Sequence, residues 1–405
     1  MSEVRETSDV LVVGCGFAGF WSAVAARRVL GLGPKVTMVA PQPNLVIRPR
    51  LYQANPATLA VDVTKHLESV DVGFIAGQAT NIDTDESALI TTAGTLPYRR
   101  LVVATGSVIR RPPFPGAEGA LSIDQLDDAI EFDRRLASAV DANPQPTVAV
   151  VGAGFTGIEL ALELRDRIAQ HSSPAYAEAA RIVLIDRSPV VGAELGPGPL
   201  PVILDALQAA RIELRLDATV VELTSDAVLF GDGTRLDADL VALTTGMVAS
   251  PFTENIPGER DSLGRVVVDS TLVSVADSSI LVSGDAAHAD TGGGHLALQS
   301  CQHALQLGRY AGENAARSLL DLPLVPYRQA RYVTCLDLGR SGAVLTEGWD
   351  RAVAQHGAET KAIKDRINTE TIYPPGPNKP DDLLKASEIP LPDPTTSSER
   401  ESPRW

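Results

Sequence analysis

After a short polar start the chain turns apolar without alternation. Asp9-Val-Leu-Val-Val13 is a short continuous apolar run, the pattern of a strand buried on both faces of a parallel sheet. Gly14-Cys-Gly16-Phe17-Ala18-Gly19 follows, then helical spacing from Phe20 to about Leu30, with Gly31 and Gly33-Pro34 as stop signals. Lys35-Val-Thr-Met-Val39 predicts a second strand. Ile75 to Leu101 alternates between short segments and turn residues, which predicts a small antiparallel meander, and Leu101-Val-Val-Ala-Thr105-Gly106 returns to a buried strand. The order then restarts. Thr147-Val-Ala-Val-Val151 leads into Gly152-Ala-Gly154-Phe-Thr-Gly157, a helical run from Ile158 to Ile168, and a strand, Arg181 to Ile185, that ends at Asp186. A second antiparallel stretch, Ile212 to Leu240, closes on Val241-Ala-Leu-Thr-Thr245-Gly246. Two copies of strand, GxGxxG, helix, strand, meander and strand predict an α/β chain with two Rossmann-like dinucleotide-binding domains.

The first domain spans residues 1–120 and 247–322, and the second, residues 121–246, is inserted in it behind a solvent-facing connecting helix from Ser122 to Val140. Ile280-Leu-Val-Ser-Gly284-Asp285 reads as a strand entering a helix back in the first domain, followed by a long helix from about Leu296 to Leu319. Residues 323–375 form a small α+β unit, with strand composition from Tyr332 to Thr346 and helical spacing from Trp349 to Ile367. Residues 376–405 are rich in proline and polar residues, and a disordered tail is expected there.

Charge narrows the partners. The 405 residues carry 35 Lys and Arg against 51 Asp and Glu, a net charge of −16, which argues against nucleic acid. Val10 to Ala26 is free of charge, but Glu3, Glu6 and Asp9 precede it and glycines interrupt it. It is also shorter than the roughly 20 residues of a spanning helix. Cys15, Cys301 and Cys335 match neither a disulfide framework nor a zinc site. A reduced, cytoplasmic enzyme without a transmembrane segment is expected, with a homodimer left open.

The chemistry follows from the loops. Glycines let backbone approach a pyrophosphate, and the helix start offers unpaired N–H groups and a positive partial charge. Asp186 is placed to accept from a ribose hydroxyl, which favours NADH, while the adjacent Arg187 leaves NADPH open. The equivalent place in the first copy is Ala40, with Gln42 the nearest polar substitute.

With these motifs the chain resembles the flavoproteins of the pyridine nucleotide-disulfide oxidoreductase superfamily, and within it the type II NADH:quinone oxidoreductases and apoptosis-inducing-factor-like quinone reductases. The resemblance runs from about residue 8 to Pro375 and implies FAD in the first site and NAD(P)H in the second. It places Gly14, Gly16 and Gly19, with Phe17 and Ala18 of the same loop, against FAD, and Gly152, Gly154, Gly157 and Asp186 at the nicotinamide nucleotide. Thr105-Gly106 and Thr245-Gly246 match the paired Ala-Thr-Gly-type segments, and Gly284-Asp285 matches the late FAD motif. Arg48-Pro-Arg-Leu-Tyr52-Gln53 is similar to the Pro-Leu-Leu-Tyr-Gln stretch beside the flavin. Gln302 and Gln306 match the helix that lines the quinone pocket, with Cys301 replacing its first alanine; their i, i+4 spacing also fits a plain polar stripe. Glu159 matches a carboxylate near the nicotinamide, able to orient it or pass a proton, or else serves only the helix start. No two cysteines lie within 30 residues, so the redox pair of the disulfide reductases is missing from the pattern. A small-molecule acceptor is implied, a quinone first; an electron-transfer protein, a metabolite or a redox-sensing role are the alternatives. His288, His295 and His303 cluster after the late motif without metal-ligand spacing, so no metal is expected; a solvated loop position is the first reading, and a flavin-edge position stays open for His288 or His295.

Overall fold

The computed structural model describes residues 6–329 and 331–389. Strand β1 (Ser8–Val13) is apolar on both faces because it is central: β2 (Val36–Ala40) pairs with it on one side and β3 (Gly94–Val103) on the other, all parallel. Helix α1 (Phe17–Leu30) begins directly at the first glycine loop. The expected meander forms, with Ala79–Asp83 and Ala88–Thr91 pairing antiparallel onto β3.

Helix α2 (Leu126–Ala142) is less solvent-facing than its charge implied. Ala129, Phe132, Leu136 and Val140 are buried, and this stripe at three- and four-residue spacing presses on the second unit. There β4 (Thr147–Val151), helix α3 (Phe155–His171), β5 (Arg181–Ile185) and β6 (Leu240–Leu243) repeat the first arrangement. β5 and β6 flank β4 in a five-stranded parallel sheet. The chain then returns: β7 (Ile280–Val282) pairs with β3 at Leu101 to Val103 and extends the first sheet.

The long helix after it, α4 (Cys301–Leu319), starts five residues later than its composition suggests. Ser300 caps it by accepting from His303 N, and residues 296–300 form a loop. α4 lies against α1 with almost no side chain between them. A Cβ on Gly308 would sit 2.4 Å from Ala18 O, and one on Gly312 2.0 Å from Ser22 O. Ser22 Oγ seals the crossing by donating to Gly308 O at 3.0 Å.

The small unit is a three-stranded antiparallel sheet, β8 (Val333–Asp337), β9 (Ala343–Glu347) and β10 (Ala352–Gly357), followed by helix α5 (Ala358–Arg366). The segment from Trp349 to Ile367 is therefore strand before it is helix, because residues 352–357 complete the edge of β9. Leu336, Leu338 and Val344 of this unit join the apolar core beneath α3.

The expected tail is also corrected where the structure describes it. Helix α6 (Pro380–Ala386) carries proline in its first turn, Asp381 and Asp382 at its start and Lys385 near its end, all favourable positions. Leu383 is fully buried in the first core, and Arg28 Nε donates to Ser387 Oγ at 3.1 Å. Average composition concealed this local pattern. The rest of the expected tail, residues 390–405, lies outside the described residues.

Candidate active site

The two glycine loops are built alike. Gly14 and Gly152 have φ of +104° and +114°, and a Cβ on either would lie 2.3 Å from a carbonyl oxygen, that of Ala104 or of Thr244. Each donates its N–H to the end of the second strand, Gly14 to Val39 O and Gly152 to Ile185 O. The third glycines act differently from the expectation that Gly19 lies against a pyrophosphate. A Cβ on Gly19 would meet Gly14 O at 1.9 Å and one on Gly157 would meet Gly152 O at 1.8 Å, so both serve the close seating of helix on loop. Gly284 likewise packs on Ala18 Cβ and does not line the cavity.

A cavity of about 1930 Å³ runs between the loops and is lined from both, by Gly14, Gly16, Phe17 and Ala18 on one side and Gly152 and Gly154 on the other. One small-molecule site commonly takes roughly 300–1,000 Å³, so the space suits two large ligands meeting end to end. Two buried oxygens on its wall, Thr105 Oγ1 and Gln302 Oε1, have no hydrogen-bond partner within the protein. The paired glycine loops, with open space where a Cβ on Gly16 would stand, fit a bound dinucleotide pair.

Several expected residues converge. Asp285 Oδ2 accepts from Ser107 Oγ at 2.7 Å and lies 3.7 Å from Arg48 Nη1. Burial raises the Asp285 pKa above the ordinary carboxylate value, against the pull of Arg48. Arg48 also holds Asp124 at 2.7 Å, tying the first unit to the start of α2. Thr105, Gly106 and Gly246 line the same wall. Asp186 faces the cavity with both oxygens already engaged, Oδ2 by Ala153 N at 2.6 Å and Oδ1 by Ser188 N at 2.7 Å. Its first role is thus to shape the loop. Ala40 is buried, and Gln42, also on the wall, accepts from Asn44 Nδ2.

Glu159 is buried on the cavity wall. Its Oε1 receives Lys364 Nζ at 2.8 Å and the Asp337 N–H at 3.0 Å. Burial pushes its pKa up to about 7; Lys364 opposes the rise and Asp337 adds to it. Lys364, equally buried, is kept charged: burial would lower its pKa, but Glu159 more than compensates. Tyr52 OH donates to Asp337 Oδ2 at 2.7 Å, and Lys361 reaches Asp337 from the solvent side. Gln302 lines the cavity beside Cys301 and Ala304, whereas Gln306, one turn on, does not.

Sequence reasoning did not single out Lys364 or Asp337. The available signal was a polar stripe on α5 and the turn that continues it, Thr360, Lys364 and Asn368 at i, i+4 and i+8, all buried. The histidines stay off the cavity wall. His288 Nδ1 meets Asp261 Oδ2 at 3.0 Å, and exposed His295 stacks on Trp349 with ring centroids 4.4 Å apart. His303 is fully buried on Ser300, its pKa pushed down to about 4 by desolvation. Cys15, Cys301 and Cys335 are free thiols on the wall, and burial pushes their pKa values up to about 12, 11 and 11. Among the described residues no group of three His, Cys, Asp or Glu is placed to hold a metal, and no helix is long and apolar enough to cross a membrane.

Comparison with known proteins agrees with this geometry. Residues 8–308 match the family model described as pyridine nucleotide-disulphide oxidoreductase. An NADH dehydrogenase-like protein of Mycobacterium tuberculosis is 39% identical over 93% of this chain and 97% of its own length. The demethylphylloquinone reductase of Synechocystis is 26% identical over 83% and 86%. Among solved structures, the sulfide:quinone oxidoreductase of Aquifex aeolicus shares the fold with a TM-score of 0.75 at 18% identity, over 95% of this chain and 92% of that one. The doubled glycine loop, the shared cavity and these relationships lead to one assignment: the chain belongs to the pyridine nucleotide-disulphide oxidoreductase family, enzymes that couple FAD to a nicotinamide nucleotide.

Proposed function

We propose that this chain is an NADH:quinone reductase, with FAD held by residues 1–120 and 247–322 and NADH by residues 121–246. The observation that carries this reading is the cavity lined by both glycine loops. When bound, FAD supplies the two-electron chemistry that links the nicotinamide to the acceptor. The protein contributes position, exclusion of water and a proton.

Gly14 and Gly16 open the backbone at the start of α1 to the FAD pyrophosphate, and Asp285, Thr105 and Arg48 hold the middle of that cofactor. Gly152 and Gly154 do the same for NADH at α3, and Asp186 fixes the loop. Gln302 marks the acceptor side of the wall, which Tyr52 also lines. Gln306, one turn further along α4, stays off the wall, and its buried Oε1 has no partner within the protein.

Quinone reduction consumes protons, and Glu159 is a carboxyl suited to give one. Both hydrogen bonds fall on Oε1, which leaves Oε2 to carry the proton, and a pKa of about 7 keeps the acid half populated at neutrality. The thiols take no part. With pKa values of about 11 or higher, Cys301 and Cys335 are ionised to only about one part in 10,000 at pH 7, and thiol exchange needs the thiolate. The names of the similar proteins, an NADH dehydrogenase-like protein and a quinone reductase, support this acceptor class.

Anaerobic NADH is expected to bleach the yellow protein, and a naphthoquinone or ubiquinone analogue to restore the colour. Bleaching without recovery by any quinone would refute the acceptor; purification without flavin would refute the whole reading.

A further inference from the structure

The two glycine loops differ at one point. Over Gly16 nothing lies within 4 Å of where a Cβ would be, but the same position at Gly154 is 2.6 Å from Glu194 Oε1. That oxygen accepts a hydrogen bond from Phe155 N at 3.1 Å. Phe155 is the first residue of α3, so its N–H belongs to the unpaired donors of a helix start, the group that a dinucleotide pyrophosphate uses. Glu194 therefore holds a negative charge where the loop would receive another.

Its own segment is a fixed turn that carries the carboxylate on a free side chain. Ala193–Leu195 is a short 3-10 turn set between Gly192 at φ +61° and Gly196 at φ +73°. Buried Leu195 anchors the turn while Glu194 is exposed on the cavity wall. Gly192 is buried and donates its N–H to Ala153 O at 2.8 Å, so the turn is held to the loop and the freedom lies in the exposed Glu194 side chain.

We propose that Glu194 sets the affinity of the nucleotide site by competing with the pyrophosphate for Phe155 N–H and the start of α3. This rests on reading the second glycine loop as the NADH site. Binding then requires the Glu194 carboxylate to swing off the loop by rotation of its own side chain. The first loop carries no such competitor, so the cofactor there is retained while the nucleotide at the second exchanges.

The test is calorimetric titration of the purified flavoprotein with NAD⁺, in which no electrons are transferred. Displacing a carboxylate from a helix start and removing its repulsion of a diphosphate correspond to about a tenfold change in Kd. Glu194→Ala is expected to bind NAD⁺ about tenfold more tightly. Glu194→Gln, which keeps the shape and loses the charge, is expected to bind more tightly by a smaller factor and guards against a folding defect in the first variant. Without NAD⁺, Glu194→Ala should also melt lower than the parent, with a larger NAD⁺-induced rise. Unchanged or weaker binding in Glu194→Ala, with the parent binding normally, overturns the role of Glu194 alone. Failure of the parent and both variants to take up NAD⁺ overturns the nucleotide-site reading together with it.

Discussion

Replacing Lys364 by Met isolates the buried charge that Glu159 faces. Met keeps the length of the side chain and suits an apolar site, but it cannot donate to Glu159 Oε1 or to Cys335 O, both 2.8 Å from Lys364 Nζ. Removing one member of a buried ion pair commonly destabilises by about 3–5 kcal/mol, because the other charge is left unpaired. Here the loss has a ceiling, since Glu159 can neutralise itself. Its folded pKa, about 7, lies above its unfolded value, so the parent loses stability as pH rises to about 7 and then levels off. Without Lys364 the Glu159 pKa rises further, and the variant keeps losing stability above pH 7. The gap between the two should therefore be small and flat below pH 7, then grow by about 1.4 kcal/mol per pH unit towards pH 9. In thermal scans that is a widening of about 2 °C per unit, at the low end for ordinary domains because the chain is long. Melting temperatures of parent and variant at pH 6, 7, 8 and 9 decide it. A gap constant across this range, or one that narrows with pH, would refute the pairing argument.

Four further outcomes are expected. Glu159→Gln should slow quinone reduction by about 10²-fold, within the usual range for a lost general acid, and abolish the parent's decline in rate as pH rises through about 7. Stopped-flow reoxidation across pH measures both. Leu383→Ala, at a fully buried position, should cost about 2–5 kcal/mol locally and expose residues 380–386 to hydrogen exchange while the first sheet stays protected. Gly312→Ala places a Cβ 2.0 Å from Ser22 O on a backbone that cannot yield, so a loss of about 3 kcal/mol and weaker flavin retention are expected by thermal scan and absorbance. Alkylation of Cys301 and Cys335 by iodoacetamide should accelerate about 100-fold from pH 7 to pH 9 without a plateau, as thiols titrating at about 11 require.

The sheets and loops were legible because their signals are local. An uninterrupted apolar run such as residues 9–13 and a glycine triplet at fixed spacing each describe one strand or one turn. The active-site core was not, because it depends on distance in sequence. Lys364 lies 205 residues beyond Glu159 and belongs to a helix whose composition looks solvated; only the burial of every fourth residue reveals it. Glu194 meets Phe155 across 39 residues, and no motif joins them. In the C-terminal stretch the error ran the other way. Proline and charge averaged over thirty residues hid the pair Leu383-Leu384, which is enough to dock one short helix. For the third glycines the shared motif does not distinguish a residue that touches a ligand from one that lets two backbones meet, and only the packing shows the second role.

The closing of the first sheet by β7 bears on how the protein is made. Leu101 to Val103 must wait for Ile280 to Val282, about 180 residues later, before that edge is covered. At ordinary synthesis rates of about 5–20 residues per second the delay is roughly 10–35 s. During it the intervening unit, whose parallel strands pair among themselves, can complete its own sheet. The first sheet therefore starts before the inserted unit and is completed after it, with an apolar edge exposed to chance pairing in the meantime. Truncation between residues 104 and 279 would be expected to yield an aggregating first half, even though most of the residues that form its sheet are present.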